Sequence, residues 1–132
     1  MGTFLSLDES QGVLVIRFEG VVTDRVLLER FGTVREWVAG HGFYSSISDF
    51  SEAGPFEVTA RGVTQLAANA PLVPDDYLRI VVAPQDEIFG MTRMFEMLGS
   101  ATRDQVHVVR SLAEAYLLAG VERLDLHPIL EW

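Results

Sequence analysis

The sequence contains neither cysteine nor lysine. Without cysteine, the chain forms no disulfide and offers no thiolate to a metal ion or a substrate. All ten basic residues are arginine, so the chain has no lysine for a Schiff base or for a phosphate-binding loop. These two absences exclude thiol-dependent enzymes, thiolate metal sites, enzymes that form a lysine Schiff base and nucleotide sites built on a P-loop lysine.

Positive charge is scarce, and so are long apolar runs. Acidic residues outnumber basic ones by 19 to 10, which gives a net charge of −9. We therefore expect no binding to nucleic acid and no attraction to an anionic membrane surface. No apolar run approaches the roughly 20 residues that span a bilayer. Because Met1–Leu7 has no basic residue and only a short apolar stretch, we predict a cytoplasmic protein without a membrane span.

Recognisable catalytic motifs are also missing. The three histidines, His41, His107 and His127, have no ligand or catalytic partner at a familiar spacing. The sequence contains no nucleophile elbow, zinc-binding helix, dinucleotide fingerprint or P-loop. We predict a protein that is not an enzyme and that has no cofactor and no metal. The alternative is an acid/base site built from Asp49, Glu57 or His107.

The composition indicates one α/β domain over residues 1–132. Hydrophobic residues make up 48% of the chain, enough for an ordinary core at this length. Two short apolar runs around "DESQG" predict an antiparallel hairpin. After the hairpin each strand is followed by a helix, so the order ββαβαβαβα predicts a mixed, mostly parallel sheet of five strands with helices packed on it. The predicted strands are Thr3–Leu7, Val13–Phe18, Phe43–Phe50, Leu78–Ala83 and Val106–Arg110.

The predicted helices are bounded by capping residues. Thr23 or Asp24 begins the first, and Ser111 and Glu114 form a capping box before the last, which Gly120 ends. The predicted helices span Thr23–Gly40, Glu57–Ala70, Asp86–Leu98 and Ser111–Ala119. The apolar tail "VERLDLHPILEW" is expected to pack on the body or on a partner.

The third predicted helix carries more apolar residues than one face can bury. Some of them therefore remain exposed, and a methionine-rich surface suits a partner or an apolar ligand. We expect a homodimer that buries this surface. The candidate interaction or ligand surface comprises Phe89, Met91, Met94, Phe95 and Met97.

Two segments resemble a known family. "LRIVVAPQDEIFGMTRMFEML" followed by "VHVVRSLAEAYLLAGV" is similar to the C-terminal half of SpoIIAA-like proteins of the STAS/SEC14-like group. The order of elements agrees with that group over nearly the whole chain. The resemblance implies a mixed sheet with helices packed against it and no intrinsic catalytic site.

The resemblance also implies where a switch would lie. In the anti-sigma-factor antagonists of this group, a strand ends in Asp-Leu-Ser and leads to Asp-Ser-Ser-Gly-Leu at a helix start, where a serine is phosphorylated. Here Asp49-Phe50-Ser51 matches the first element, and Glu57 and Thr59 fall on the acidic and hydroxyl positions of the second. Val58, Ala60 and Arg61 replace its serine, glycine and leucine, so the phosphoserine motif is not intact. The candidate phosphoacceptor or anion site comprises Asp49, Ser51, Glu57, Thr59 and Arg61.

Two functions remain open from the sequence. The first is a non-catalytic STAS-like regulatory or protein-interaction domain. The second, suggested by the SEC14-like relatives and by the surplus of apolar residues, is a module that binds a small apolar ligand or a lipid.

Overall fold

Six β-strands form one sheet in the computed structural model, which describes residues 2–69, 77–98 and 106–132. Its strand order is β5-β4-β3-β2-β1-β6. The pairs β2–β3, β3–β4 and β4–β5 are parallel, whereas β1 pairs antiparallel with both β2 and β6. The sheet is therefore mixed, as the order of elements predicts. The strands are β1 Gly2–Asp8, β2 Val13–Thr23, β3 Ser45–Glu57, β4 Arg79–Val82, β5 Val106–Val109 and β6 His127–Glu131.

The described helices cover both faces of the sheet. Each of the first three connects two parallel strands that are neighbours in the sheet, and right-handed crossovers in one direction place such helices on one face. The fourth helix follows β5 and packs on the opposite face through Ala115. The helices are α1 Asp24–His41, α2 Ala60–Ala68, α3 Asp86–Leu98 and α4 Leu112–Ala119.

Alternation along β2 divides the core into two layers. Leu14, Ile16 and Phe18 pack with the larger core, which includes buried residues of α1, α2 and α3. Val13 and Val15 point to the other face and pack with the smaller core under α4. This period of two is what a strand covered on both faces requires.

The predicted boundary between β3 and α2 is wrong. The strand continues past Phe50 to Glu57, because the long strand β2 offers backbone partners as far as Val22↔Phe56 and Thr23↔Glu57. Glu57 therefore ends a strand instead of beginning a helix. Helix α2 begins at Ala60; the predicted helix end at Ala70 lies outside the described residues.

The predicted count of five strands is also wrong. The expectation that the tail packs on the body is confirmed, but it does so as a strand, β6, which pairs with β1. Its partner lies at the opposite end of the chain. No local pattern predicts such a pairing, and Pro128 argues against a strand in this segment, because proline cannot donate a hydrogen bond to a neighbouring strand.

Two helix starts and one helix end agree with the predicted caps. The Thr23 hydroxyl accepts a hydrogen bond from the Val26 amide at 3.2 Å, and the Ser111 hydroxyl accepts one from the Glu114 amide at 3.2 Å. Gly120 ends α4 in the left-handed conformation, with φ of 73°. Of the described helices, none combines the length and the hydrophobicity that a membrane span requires.

A buried carboxylate, that of Asp8, fastens the tail to the hairpin. It accepts hydrogen bonds from the Gln11 side chain at 2.8 Å, the Gln11 amide at 3.0 Å and the Ser10 hydroxyl at 2.9 Å. It also accepts one from the Asp125 amide at 2.8 Å, 117 residues away in the sequence. These bonds, led by that of the Gln11 side chain, hold the pKa of Asp8 well below its usual range. The ionised carboxylate thus joins the β1–β2 turn to the segment before β6.

We predict that Asp8→Asn releases the C-terminal segment. The amide replaces an acceptor oxygen with a donor that faces other donors, so the bonds to Gln11 and Asp125 cannot all form. Hydrogen exchange should become faster at residues 125–131 and change little in α1. Glu9→Gln, an exposed neighbour, is the control.

The same contact predicts a dependence on pH. Because the folded pKa of Asp8 is depressed, its stabilisation is complete above the ordinary pKa of an aspartate, near 3.9, and declines as the pH falls below it. The difference in stability between the wild type and Asp8→Asn should therefore shrink under acid. A difference that does not change with pH would show that the charge of Asp8 is not what holds the tail.

Candidate functional site

A partly open cavity of about 100 Å³ lies between the sheet and the layer formed by α1, α2 and α3. We call it the helix-side cavity. Its floor includes Ser46 and Ser48 of β3, which are 2% and 5% exposed. They occupy positions on a central strand where a core would ordinarily carry larger apolar side chains. Two short side chains under a helix layer leave space that the neighbouring residues do not fill.

The walls of the helix-side cavity are mostly apolar and aromatic. The ring of Phe50 stacks on Phe18 with centroids 4.6 Å apart and meets Phe56 edge-on at 6.0 Å. Met91 and Phe95 of α3 close the cavity from the helix side. Aromatic rings fixed by such contacts form a preshaped wall, as small-molecule sites commonly do. The described lining residues are Leu27, Phe31, Arg35, Ser46, Ser48, Phe50, Phe56, Val58, Val63, Leu66, Arg79, Ile80, Val81, Met91, Thr92, Phe95 and Val106.

Two arginines, Arg79 and Arg35, are among the described lining residues of this apolar cavity. Arg79 is 7% exposed, and Arg35 of α1 is half-buried. Arg79 pairs with Ser46 across β3 and β4, so both side chains rise from the same face of the sheet. Ser46 and Arg79 lie at the amino ends of β3 and β4, whereas Phe50 and Phe56 lie further along β3.

The residues predicted on α3 divide between the cavity and the surface. Met91 and Phe95 line the cavity. Phe89 and Met94 are half-buried against the core, and the Arg110 guanidinium lies 3.8 Å from the centroid of the Phe89 ring. Met97 is 69% exposed.

The two elements of the predicted phosphoacceptor or anion site lie apart. Asp49 is buried, and its Oδ1 accepts hydrogen bonds from the Ser51 amide at 2.9 Å and the Ser51 hydroxyl at 2.6 Å. It lines the face of the sheet that carries α4. Thr59 begins α2 on the opposite face, and Glu57 and Arg61 are exposed beside it.

The start of α2 already holds an anion, the carboxylate of Asp24. This carboxylate accepts hydrogen bonds from the Thr59 amide at 2.8 Å and the Thr59 hydroxyl at 2.6 Å. The Thr59 hydroxyl in turn accepts one from the Gly62 amide at 3.0 Å. A carboxylate at a helix start is favourable to the helix dipole, and Asp24 stands at the start of both α1 and α2. The sequence therefore satisfies this helix terminus internally.

This arrangement bears directly on Thr59 as a phosphoacceptor. Its hydroxyl is engaged as both donor and acceptor, so phosphorylation would break the bond to Asp24. The added phosphate, with about −1.5 to −2 charges, would then face the Asp24 carboxylate. Phosphorylation of Thr59 would therefore disrupt the N-terminal cap of α2, because the Asp24 carboxylate already binds at this helix start.

A second concave surface lies on the other face of the sheet. This α4-side groove, of about 310 Å³, runs between α4 and the strands β1, β2 and β6. Its lining includes Asp49 and Arg17, whose guanidinium lies 2.8 Å from Glu19 and 4.8 Å from the centroid of the Phe4 ring. Exposed leucines border it, namely Leu112, Leu126 and Leu130.

The candidate acid/base residues do not converge on one of these two sites. Asp49 lines the α4-side groove, but neither the groove nor the helix-side cavity is lined by Glu57 or His107. Within the described ranges, no three histidine, aspartate or glutamate side chains are grouped closely enough to hold a metal ion.

Several residues of the site carry no recognisable signal in the sequence. Ser46 and Ser48 look like ordinary residues of a strand, and Asp24 looks like a helix cap. Arg79 looks like the polar residue that opens an apolar strand, and its burial is visible only in the structure. The hydrogen bond between Asp24 and Thr59 joins residues that are 35 apart in the sequence. They are close in space only because β2 and β3 pair in parallel.

Comparison with known proteins gives no further assignment. No family model matches the chain, and no curated protein matches it significantly.

Gly62 tests the internal anion contact. A Cβ at this position would collide with the Asp24 carboxylate, so Gly62→Ala must displace that carboxylate from Thr59. We predict a loss of about 1 kcal/mol in the free energy of unfolding, although alanine normally favours a helix over glycine. Thermal or urea unfolding measures the change.

Two controls isolate the contact. Gly90 in α3 has nothing within 4 Å of an added Cβ, so Gly90→Ala should stabilise the protein by about 0.5–1 kcal/mol. In an Asp24→Ala background, Gly62→Ala should also become stabilising. Destabilisation that persists without the Asp24 carboxylate would contradict this account.

Proposed function

We propose that this chain is a binding module for a small apolar ligand, received in the helix-side cavity. The observation that carries the proposal is a cavity of about 100 Å³ with mostly apolar walls inside a domain of 132 residues. A core of this size ordinarily packs with few voids larger than a water molecule. An empty apolar cavity lowers stability in proportion to its volume, and a ligand that fills it recovers that loss.

The size of the cavity limits the ligand. An enclosed apolar cavity of about 150 Å³ accommodates benzene. The helix-side cavity has about 100 Å³ but is partly open, so it suits at most one aromatic ring or a short branched chain. A whole lipid acyl chain exceeds that space. The apolar-ligand alternative from the sequence is therefore supported in its small-molecule form.

The STAS-like regulatory role suggested by the resemblance stays a prediction. It draws support from the α/β architecture, with helices on both faces of a mixed sheet. It draws none from Thr59, whose hydroxyl is bonded to Asp24.

Ligand binding is tested with toluene as the probe. At free toluene tenfold above its dissociation constant, linkage stabilises the folded state by about 1.4 kcal/mol. For a domain of this length the melting temperature should rise by about 3–8 °C. Methyl resonances of Met91 should shift, because that side chain lines the cavity.

A filled cavity should abolish the effect. Val81 of β4 lines the cavity, and Val81→Phe adds a ring where the ligand would lie. Val21→Phe adds the same group to an exposed position of β2 and should leave the toluene response intact. Equal responses in the two variants would place toluene elsewhere and remove the support for this function.

A second candidate function is self-association, which is favoured by the edge strand β6. It is the last strand in the sheet order, so its outer edge meets no other described strand. Two copies of one edge strand pair antiparallel about a two-fold axis, which makes the contact self-complementary. Leu130 on β6 is 39% exposed and Leu126 beside it 37%. We propose a second copy of this chain as the occupant of this edge.

Light scattering at micromolar concentration tests the homodimer and its location. Leu130→Lys places a charge on the β6 edge and should give a monomer. Met97→Lys places the same charge on the exposed part of α3 and should leave the dimer intact. The opposite result would assign the dimer to the methionine surface of α3, and a monomeric wild type would reject self-association.

A further inference from the structure

A buried carboxylate on the α4 face of the sheet is only half satisfied by the protein. Asp49 is 4% exposed, and its Oδ1 accepts hydrogen bonds from the Ser51 amide at 2.9 Å and the Ser51 hydroxyl at 2.6 Å. Among the described residues, none donates a hydrogen bond to the second oxygen, Oδ2. Because a carboxylate taken out of water is costly unless donors or cations surround it, Oδ2 gains from a partner that arrives from outside.

The cation beside Asp49 is engaged elsewhere. Arg17 of β2 is the register partner of Asp49, so their side chains leave the same face of the sheet. The Arg17 guanidinium nevertheless lies 2.8 Å from Glu19 and 4.8 Å from the centroid of the Phe4 ring. No ion pair joins these two described residues, Arg17 and Asp49. Glu19 therefore offsets the charge of Arg17, and the charge of Asp49 is left without a counterion there.

The α4-side groove leads to this carboxylate. Its volume of about 310 Å³ lies at the lower end of the range of small-molecule sites. Asp49 lines the groove from the sheet, whereas Leu112 and Tyr116 line it from α4. Leu112 is exposed and Tyr116 half-buried. The groove thus combines a carboxylate on its sheet side with an apolar wall on its helix side.

One available carboxylate oxygen selects among cations. A divalent metal needs several ligands, and the described part of the chain groups no three histidine, aspartate or glutamate side chains around such an ion. A guanidinium fork is best met by both oxygens of a carboxylate, but Oδ1 of Asp49 already accepts two hydrogen bonds from Ser51. An ammonium group is a compact point charge, and it can direct one of its N–H donors at a single oxygen.

We propose that the α4-side groove binds a small primary ammonium compound, with its nitrogen at Asp49 Oδ2 and its short apolar chain against Leu112 and Tyr116. The net charge of −9 attracts a cation over a longer range. This site lies on the opposite face of the sheet from the helix-side cavity, so the inference does not depend on the function proposed for that cavity.

Three probes with one carbon skeleton separate charge from shape. They are 3-methylbutylamine, which is protonated at neutral pH as a lysine side chain is, the neutral 3-methyl-1-butanol and the anion 3-methylbutanoate. Calorimetry on the intact chain gives the three dissociation constants. Since hydrogen bonds to charged groups are worth more than neutral ones, the amine should bind about tenfold more tightly than the alcohol, and the anion should bind most weakly. Only the amine complex should shift the Leu112 methyl resonances strongly while leaving the Met91 methyl in place.

Variants assign the preference for the amine to Asp49. Asp49→Asn keeps a carbonyl acceptor for Ser51 but points an NH₂ group into the groove, so it should bring the affinity for the amine down to that for the alcohol. Glu52→Gln removes one negative charge from an exposed position of the same strand and should leave the preference intact. Arg17→Gln removes the neighbouring positive charge and should tighten binding of the amine by about two- to fivefold. The three probes on the unaltered chain test the proposal even if Asp49→Asn fails to fold.

Several results would overturn this inference. Equal affinities for the amine and the alcohol would show that the Asp49 charge does not recognise a ligand. Tightest binding of 3-methylbutanoate would assign recognition to Arg17, and an amine that shifts Met91 but not Leu112 would lie in the helix-side cavity. None of these results bears on the toluene experiment, so the failure of this inference is distinguishable from a failure of the proposed function.

Discussion

The small volume of two serine side chains on the central strand β3 leaves the helix-side cavity in the core of this fold. Ser46 and Ser48 lie under the layer of α1, α2 and α3, where they are almost fully buried. The crossovers between parallel strands hold these three helices over one face of the sheet, and the serines are too short to fill the space beneath them. The cavity thus follows from side-chain volume at two positions on a strand that the rest of the sheet holds in place. Larger apolar residues at the same positions would produce an ordinary packed core.

The junctions between elements and the helix-side cavity contain different polar groups. Internal carboxylates stabilise two junctions, since Asp24 binds the start of α2 and Asp8 fastens the tail to the hairpin. The helix-side cavity instead contains arginines among apolar walls.

Local signals in the sequence predict most of this architecture. Apolar periodicity and caps locate the helices, and Ser111, Gly120 and Thr23 perform the capping roles that their residue types favour. Where the prediction fails, distant pairing decides the structure. Strand β6 forms because it pairs with β1, and β3 continues to Glu57 because β2 pairs with it as far as Thr23. "AGPFE" resembles a turn in isolation, and only the partner strand makes it an extended segment.

The site itself was less accessible to prediction than the fold. Met91 and Phe95 were identified from their composition and do reach the cavity. Arg79, Ser46 and Asp24 were not identified, because each has an ordinary local explanation and gains significance only from residues far away in the sequence. Thr59 illustrates the converse, since a local match to a phosphorylation motif gave no indication that its hydroxyl is bonded to Asp24.

A crystal structure determined under xenon pressure tests the central claim most directly. Xenon enters apolar cavities of this kind without any polar contact, so it reports the space independently of the ligand. The account predicts one xenon site between Ser48 of β3 and the side chains of Met91 and Phe95. A cavity closed by repacked side chains, with no xenon between β3 and α3, would contradict it.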